Sequence, residues 1–115
     1  VKITYDPDAI SLETLLDWFW KIHDPTDPRG VWPDFGPPYR SILLPADEGQ
    51  RNVVERSKAA AEARLGTIAT QVVPLAGTYF PAEAYHQDYA KRNPGDRYVR
   101  RVAIPKLKKL GLSTP

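Results

Sequence analysis

Residues 32–41 read Trp-Pro-Asp-Phe-Gly-Pro-Pro-Tyr-Arg-Ser and gather a carboxylate, a phenol, a guanidinium and two further aromatics into ten positions. Asp34 offers an acceptor, Tyr39 an O–H donor and Arg40 a fixed cation. Five prolines between Pro25 and Pro38 make this one long rigid loop, Asp24 to Tyr39, placed beside a strand end. Scaffold-held loops of that kind often carry function. The competing reading is structural, with Asp34 capping a turn and Tyr39 packed on the core, and for the loop taken alone these residue types favour it.

Tyr85-His86-Gln87-Asp88-Tyr89 is the second cluster. On a helix, Tyr85 and Tyr89 would share a face and His86 would neighbour Tyr89. A His–Tyr pair can hydrogen-bond, and His titrates near neutral pH. The alternative is a helix whose aromatics simply pack. His23-Asp24-Pro25-Thr26 closes an earlier helix and reads as turn and cap chemistry, hence structural.

The C-terminal stretch is basic. Lys91, Arg92, Arg97, Arg100, Arg101, Lys106, Lys108 and Lys109 face a single acid, Asp96, for a net +7, while the rest of the chain carries −5. Such asymmetry can mark an anionic partner. A solvated tail laying its side-chain stems along the domain is the preferred reading.

Other chemistries are excluded by composition. No cysteine is present, which removes a disulfide framework, a zinc–thiolate site, an iron–sulfur cluster and a cysteine nucleophile from these residues. Two histidines cannot build a histidine-rich metal site. No Gly-rich phosphate loop or catalytic triad signature appears. A net charge of +2 argues against a purely electrostatic nucleic-acid binder. No apolar run approaches a membrane span, and the start is unlike a signal peptide. Lack of disulfides is compatible with a reducing cytosol. The 42% hydrophobic and 26% charged fractions over 115 residues fit one folded domain.

The elements that must position these residues follow from periodicity. Val1–Tyr5 alternates and is rich in β-branched residues, predicting a strand. Ser11 sits at an N-cap position ahead of Leu12, Leu15, Leu16, Phe19 and Ile22, which predict one buried helix face. Arg40–Leu44 reads as a strand, Asp47 to about Leu65 as a helix stopped by Gly66, and Thr67–Val73 as a third strand. Ala76–Phe80 is a short connection. Pro81 to about Arg92 predicts a last helix, stopped at Asn93-Pro94-Gly95. The order β-α-β-α-β favours a sheet packed on helices. Three strands are thin for a sheet, so further strands are expected before Val1. A chain that starts at Val1 and holds no methionine is expected to be a piece of a longer product.

Read together, Val1–Pro7, Leu15-Leu16, Phe19-Trp20, His23–Thr26, Asp34–Gly36, Tyr39–Ser41, Pro81–Glu83, Tyr85–Tyr89 and Asn93–Gly95 resemble the A-type peptide methionine sulfoxide reductases, in order, over about residues 1–98. The resemblance implies an α+β fold: a ferredoxin-like α/β roll, of which this chain carries the later strands and helices. It implies a domain at 1–98 and a basic C-terminal tail at 99–115. It implies reduction of the S epimer of methionine sulfoxide, free or in proteins, as protein repair under oxidative stress. In the family a cysteine in a Gly-Cys-Phe-Trp motif attacks the sulfoxide sulfur. A Glu in a Gly-His-Ala-Glu motif and two tyrosines hold the oxygen. No metal or organic cofactor is implied; thioredoxin or a small thiol restores the cysteine, in the cytoplasm.

Carried onto this sequence, Tyr39 matches the tyrosine that donates to the sulfoxide oxygen, and Asp34 the aspartate that orders the site and its water. His86 and Tyr89 match a helix pair behind the nucleophile, and Tyr98 the tail tyrosine. Trp32 replaces a usual small residue and could add an apolar wall. The departures are as informative. The cysteine, its Phe-Trp neighbours, one tyrosine and the Glu have no counterpart here, and the usual tail cysteine position holds Val99. The chain is therefore expected to begin just downstream of the His-Ala-Glu motif and, alone, to be inactive. The enzyme-class competitor is a split reductase whose other half brings the cysteine. The binding-class competitor is a cysteine-free pseudoenzyme recognising methionine sulfoxide peptides. A domain binding anions or nucleic acid through the tail is the remaining one; neither nucleic acid nor membrane is an expected partner.

Overall fold

Ser11 starts the first helix, α1 (Leu12–Lys21), by accepting the Thr14 N–H on its side chain at 3.1 Å. An oxygen there satisfies an N–H that the helix itself cannot. The structure, a computed structural model, describes residues 1–77 and 79–115. They form two compact units, Val1–Tyr79 and Phe80–Pro115. The expected Ala76–Phe80 connection contains Thr78, which lies outside the described residues.

In the first unit, α1 buries Leu16 and Trp20, one turn apart. Ile22, expected on that face, is exposed and serves as the C-cap, its N–H bonded to the Trp18 carbonyl. The 3.6-residue period puts residue 20, not 22, in line with residue 16. The second long helix, α2 (Glu48–Leu65), is capped by Asp47, which accepts the Gln50 N–H, and stopped by Gly66 at φ 92°. Its buried residues, Val54 and Ala61, lie two turns apart. Trp20, Ala61 and Ile68 make the core cluster, with Phe19 and Leu43 packed against it. The Trp20 indole N–H donates to Ser57 Oγ on α2 at 2.9 Å, so its polar edge is satisfied.

The long loop predicted over Asp24–Tyr39 contains regular structure. β1 (Gly30–Val31) pairs antiparallel with β2 (Asp34–Phe35), in register Gly30↔Phe35 and Val31↔Asp34. A cis Trp32–Pro33 peptide forms the tip, and a 3-10 turn, Pro37–Tyr39, follows. β3 (Ile42–Leu43) then pairs parallel with β4 (Gln71–Val72) across α2. The expected strand–helix–strand crossover is present, with strands shorter than Arg40–Leu44 and Thr67–Val73. The Val73 N–H to Leu43 carbonyl and Leu75 N–H to Pro45 carbonyl bonds, 3.0 Å each, continue the pairing beyond the ladder.

Val1–Tyr5 is irregular rather than a strand, with Val1 and Ile3 exposed. Alternation alone cannot make a strand; a partner edge must accept its hydrogen bonds. Among the described residues the ladders are β1–β2 and β3–β4.

In the second unit, the helix expected from Pro81 to Arg92 is broken. A 3-10 turn spans Ala84–His86 and α3 covers Tyr89–Arg92, with Asp88 between them in the left-handed region at φ 52°. A residue at positive φ ends helical continuity. The basic segment is not an extended tail. Residues 97–98 are helical, Val99–Ala103 form a π-helical turn, and α4 (Ile104–Lys109) continues from it. Pro105 has no N–H and its ring crowds the carbonyl four residues back. The Ile104 N–H accordingly bonds the Val99 carbonyl, five residues back, which widens the turn. Val99 is buried.

Candidate functional site

The hairpin and the 3-10 turn bring Trp32, Asp34 and Tyr39 onto one stretch of chain. Gly30 makes this packing feasible. Its φ is +149°, and a Cβ there would stand 2.6 Å from the Asp34 carbonyl oxygen, 3.0 Å from Phe35 Cα and 3.2 Å from the Tyr39 carbonyl oxygen. Strand β2 and the Tyr39 turn therefore close on the bare Cα of one glycine. The Gly36 N–H to Arg29 carbonyl bond at 2.8 Å and the Tyr39 N–H to Gly36 carbonyl bond at 3.0 Å complete the frame. Asp34 is half-buried, Tyr39 is 50% exposed, and Trp32 at the tip is 70% exposed.

Arg40 serves the frame. Its Nε donates to the Pro37 carbonyl at 2.9 Å and its Nη1 to Gln71 Oε1 at 3.2 Å, tying the Tyr39 turn to β4. Arg29 fills the other flank. Its guanidinium lies 4.5 Å from the Phe35 ring centroid and pairs with Asp27 at 2.9 Å. That pairing lowers the Asp27 carboxyl below its ordinary range and raises Arg29. Asp24 accepts both the backbone N–H and the hydroxyl of Thr26, which lowers its pKa and fixes the turn after α1.

Ser41, two residues after Tyr39, sits in a polar chain to which the spacing of the sequence gives no clue. His23 Nε2 lies 2.7 Å from Ser41 Oγ, and Ser41 Oγ lies 2.7 Å from Thr70 Oγ1. Ser41 is 6% exposed and Thr70 1%. The His23 ring also stands edge-on to Phe19, centroids 4.6 Å apart. Thr70 reads in sequence as one more β-branched strand residue. Only the fold discloses its partner, 29 positions away.

His86, Tyr89 and Tyr98 belong to the second unit. The break at Asp88 removes the shared helical face expected for Tyr85 and Tyr89 and for His86 and Tyr89. His86 instead stacks beside Tyr85, centroids 4.2 Å apart. The Tyr89 hydroxyl donates to Asp96 Oδ2 at 3.0 Å, while Asp96 Oδ1 accepts the N–H groups of Tyr98 and Val99 at 2.9 and 3.2 Å. Asp96 thus caps the C-terminal helical stretch. Those bonds, the Val99 N–H foremost, hold its carboxyl below the ordinary range. The same carboxylate raises the Tyr89 phenol, because it accepts the phenol's hydrogen bond and because ionising the phenol would set two anions together. By residue type alone Asp96 reads as the lone acid of a basic tail. An acid three residues before Val99, just after Asn-Pro-Gly, is the N-cap signal that marks it.

Neither unit supplies, among the described residues, a group of three His, Cys, Asp or Glu able to hold a metal. No helix among those residues is long and apolar enough to cross a membrane.

Comparison with known proteins places the chain in a family. The model of the family described as peptide methionine sulfoxide reductase matches residues 1–113. The chain is 39% identical over 114 residues to the peptide methionine sulfoxide reductase MsrA of Clavibacter michiganensis subsp. michiganensis, covering 96% of this chain and 63% of that protein. It is 37% identical over 116 residues to MsrA of Sulfolobus acidocaldarius, covering 100% and 65%. The solved structure of methionine sulfoxide reductase A of Corynebacterium diphtheriae superposes with a TM-score of 0.62 at 34% identity, over 78% of this chain and 48% of that one. The chain thus spans less than two thirds of the length of these relatives. On a match that runs through nearly all of its residues, the chain belongs to the peptide methionine sulfoxide reductase family.

Proposed function

We propose that this chain supplies the sulfoxide-oxygen side of a reductase site acting on the S epimer of methionine sulfoxide, free or in proteins. The family match over residues 1–113 carries the reading. The placement of Asp34 and Tyr39 on one hairpin-and-turn frame supports it. A sulfoxide oxygen is an acceptor that gains negative charge as the sulfur is attacked, so a fixed O–H donor binds the transition state better than the substrate. Tyr39 is assigned that donation. Asp34 orders the loop and the water beside it. Trp32 offers an apolar wall for the substrate; His86, Tyr89 and Tyr98 are assigned the supporting roles that the family likeness implies for them.

The reaction needs a thiol, and these 115 residues have none. In the proposed step a cysteine sulfur bonds to the sulfoxide sulfur, and the S–O bond breaks as the protonated oxygen leaves as water. A water oxygen then bonds to the cysteine sulfur as the new S–S bond breaks, its electron pair staying on the thioether. Thiol plus sulfoxide thereby become sulfenic acid plus thioether, with no net gain or loss of water. That is the first, reversible rung of cysteine oxidation. The cysteine would come from a Gly-Cys-Phe-Trp segment, upstream in the same product or on a partner half, and the chain alone would be inactive. Thioredoxin or a small thiol would restore it, with no metal or organic cofactor, in protein repair in the cytoplasm. The remaining strands would complete a ferredoxin-like α/β roll over residues 1–98, with 99–115 as a basic appendage.

The test is an NMR titration of the chain with N-acetyl-methionine-(S)-sulfoxide methylamide, beside the R epimer and the thioether. Perturbations at Tyr39 and Asp34 by the S epimer, abolished in Tyr39→Phe and Asp34→Ala, are expected. Equal response in those variants would remove both residues from the site. A neighbouring Gly-Cys-Phe-Trp in the encoding DNA supports the reductase; its absence leaves a sulfoxide-binding module.

A further inference from the structure

We propose that the hydroxyl chain His23–Ser41–Thr70 is a positioning device for the Tyr39 phenol, with His23 and Thr70 as its two anchors. The inference rests on the reading of Tyr39 as the sulfoxide-oxygen donor. Ser41 follows Tyr39 by two residues, so its placement fixes where the Tyr39 turn leaves the sheet. Three bonds hold it. From α1's end, His23 Nε2 reaches Ser41 Oγ at 2.7 Å. From the segment leading into β4, Thr70 Oγ1 meets the same oxygen at 2.7 Å. The Ser41 carbonyl accepts the Gln71 N–H at 3.1 Å, one residue further along β4. Ser41 and Thr70 are buried, and such groups lose their hydrogen bonds only at a cost water cannot repair. The adjacent Arg40 bonds reinforce the same turn from the solvent side.

A hydroxyl can donate one proton, so direction runs along the chain: the proton on one oxygen dictates the roles of the other and of the imidazole nitrogen. Ser41 is thereby held in one rotamer by two partners. Rotation of Ser41 would break both bonds together, and the backbone two residues away carries Tyr39. A donor that must meet a small oxygen within a few tenths of an ångström gains from such a mounting. A hydroxyl buried only to cap a strand would need one partner. Here a histidine from a third element is recruited as well. His23 and Thr70 are positioning residues; neither is assigned contact with substrate.

The experiment uses the full chain with Tyr rings labelled for NMR. Thr70→Val keeps shape and removes the inner hydroxyl; Thr70→Ser keeps the hydroxyl; His23→Leu removes the outer anchor at a less buried site. In the free chain, the Tyr39 ring signals are expected to shift or broaden in Thr70→Val and His23→Leu and to stay near wild type in Thr70→Ser. Unchanged Tyr39 signals in both hydroxyl-breaking variants, with the fold retained by circular dichroism, would overturn the proposal. Affinity for N-acetyl-methionine-(S)-sulfoxide methylamide should fall about 5-fold in the two disrupting variants, the equivalent of one ordinary hydrogen bond. Wild-type binding insensitive to Tyr39→Phe would sink the functional reading instead, while the ring signals of the free chain would still judge the relay.

Discussion

Replacing Gly30 by alanine should unseat the candidate site without touching any of its side chains. At φ +149° an L-residue is strained by about 1–3 kcal/mol. The added methyl would stand 2.6 Å from the Asp34 carbonyl oxygen, with Phe35 Cα at 3.0 Å and the Tyr39 carbonyl oxygen at 3.2 Å. All three are backbone atoms, so no flexible side chain can move aside. Overpacking of this kind costs a further 1–3 kcal/mol, roughly. The sum, about 2–6 kcal/mol, is a large part of the stability of a small domain. Relief would come from parting β1 from β2 or lifting the Pro37–Tyr39 turn. The assay is urea unfolding of Gly30→Ala beside Gly95→Ala, with amide shifts of Asp34 and Tyr39 read in the same samples. Gly95 has nothing within 4 Å of its would-be Cβ, so its variant should change stability by less than about 1 kcal/mol. A Gly30→Ala protein as stable as wild type, with Asp34 and Tyr39 shifts unmoved, would refute the claim that this frame closes on a bare glycine.

Ser57→Ala should strand the Trp20 indole N–H against α2 and cost about 1–3 kcal/mol, read by denaturant midpoint. In a cycle with Trp20→Phe, the coupling should be about 1 kcal/mol; no coupling would mean the bond contributes nothing. Asp96→Asn should weaken the C-terminal helical stretch, seen as faster amide exchange at Val99 and Arg100. Because the folded Asp96 pKa lies below the unfolded value of about 3.9, its contribution is fully present above that value and disappears as pH falls through the folded pKa. Protection there should therefore drop in acid, and a pH-independent helix would contradict the cap. The raised Tyr89 pKa has the opposite sense: its contribution holds below pH about 10 and is lost as pH rises through the folded value, which absorbance at alkaline pH would follow.

Local chemistry was legible in the residues themselves. Ser11, Asp47 and Gly66 announce where α1 starts and where α2 starts and stops, because caps act within one turn of the chain. The crossover between β3 and β4 was readable from the apolar Ile42–Leu44 and the β-branched Thr67–Val73 flanking an alanine-rich helix. The motif order from Val1 to Gly95 was enough to name a family, and with it Tyr39 and Asp34 as candidates.

Other features depend on partners remote in sequence, and no local pattern holds them. Val1–Tyr5 has the alternation of a strand but belongs to neither ladder among the described residues. Asp88 at positive φ divides a segment whose spacing suits a helix, and Pro105 turns a nominal tail into a helix with a wide turn. Whether Trp20 or Ile22 is buried was decided by where α2 lies, through Ala61 and Ser57. Residue types alone announced the caps of α1 and α2, the crossover, the lack of a thiol in these residues and the candidate donor. The tertiary structure alone decided that Gly30 must be bare and that His23, Ser41 and Thr70 form one chain of bonds. The reason is physical: capping and turns act within a few residues, whereas burial and hydrogen bonding across the core join atoms tens of positions apart, whose meeting exists only once the chain has folded.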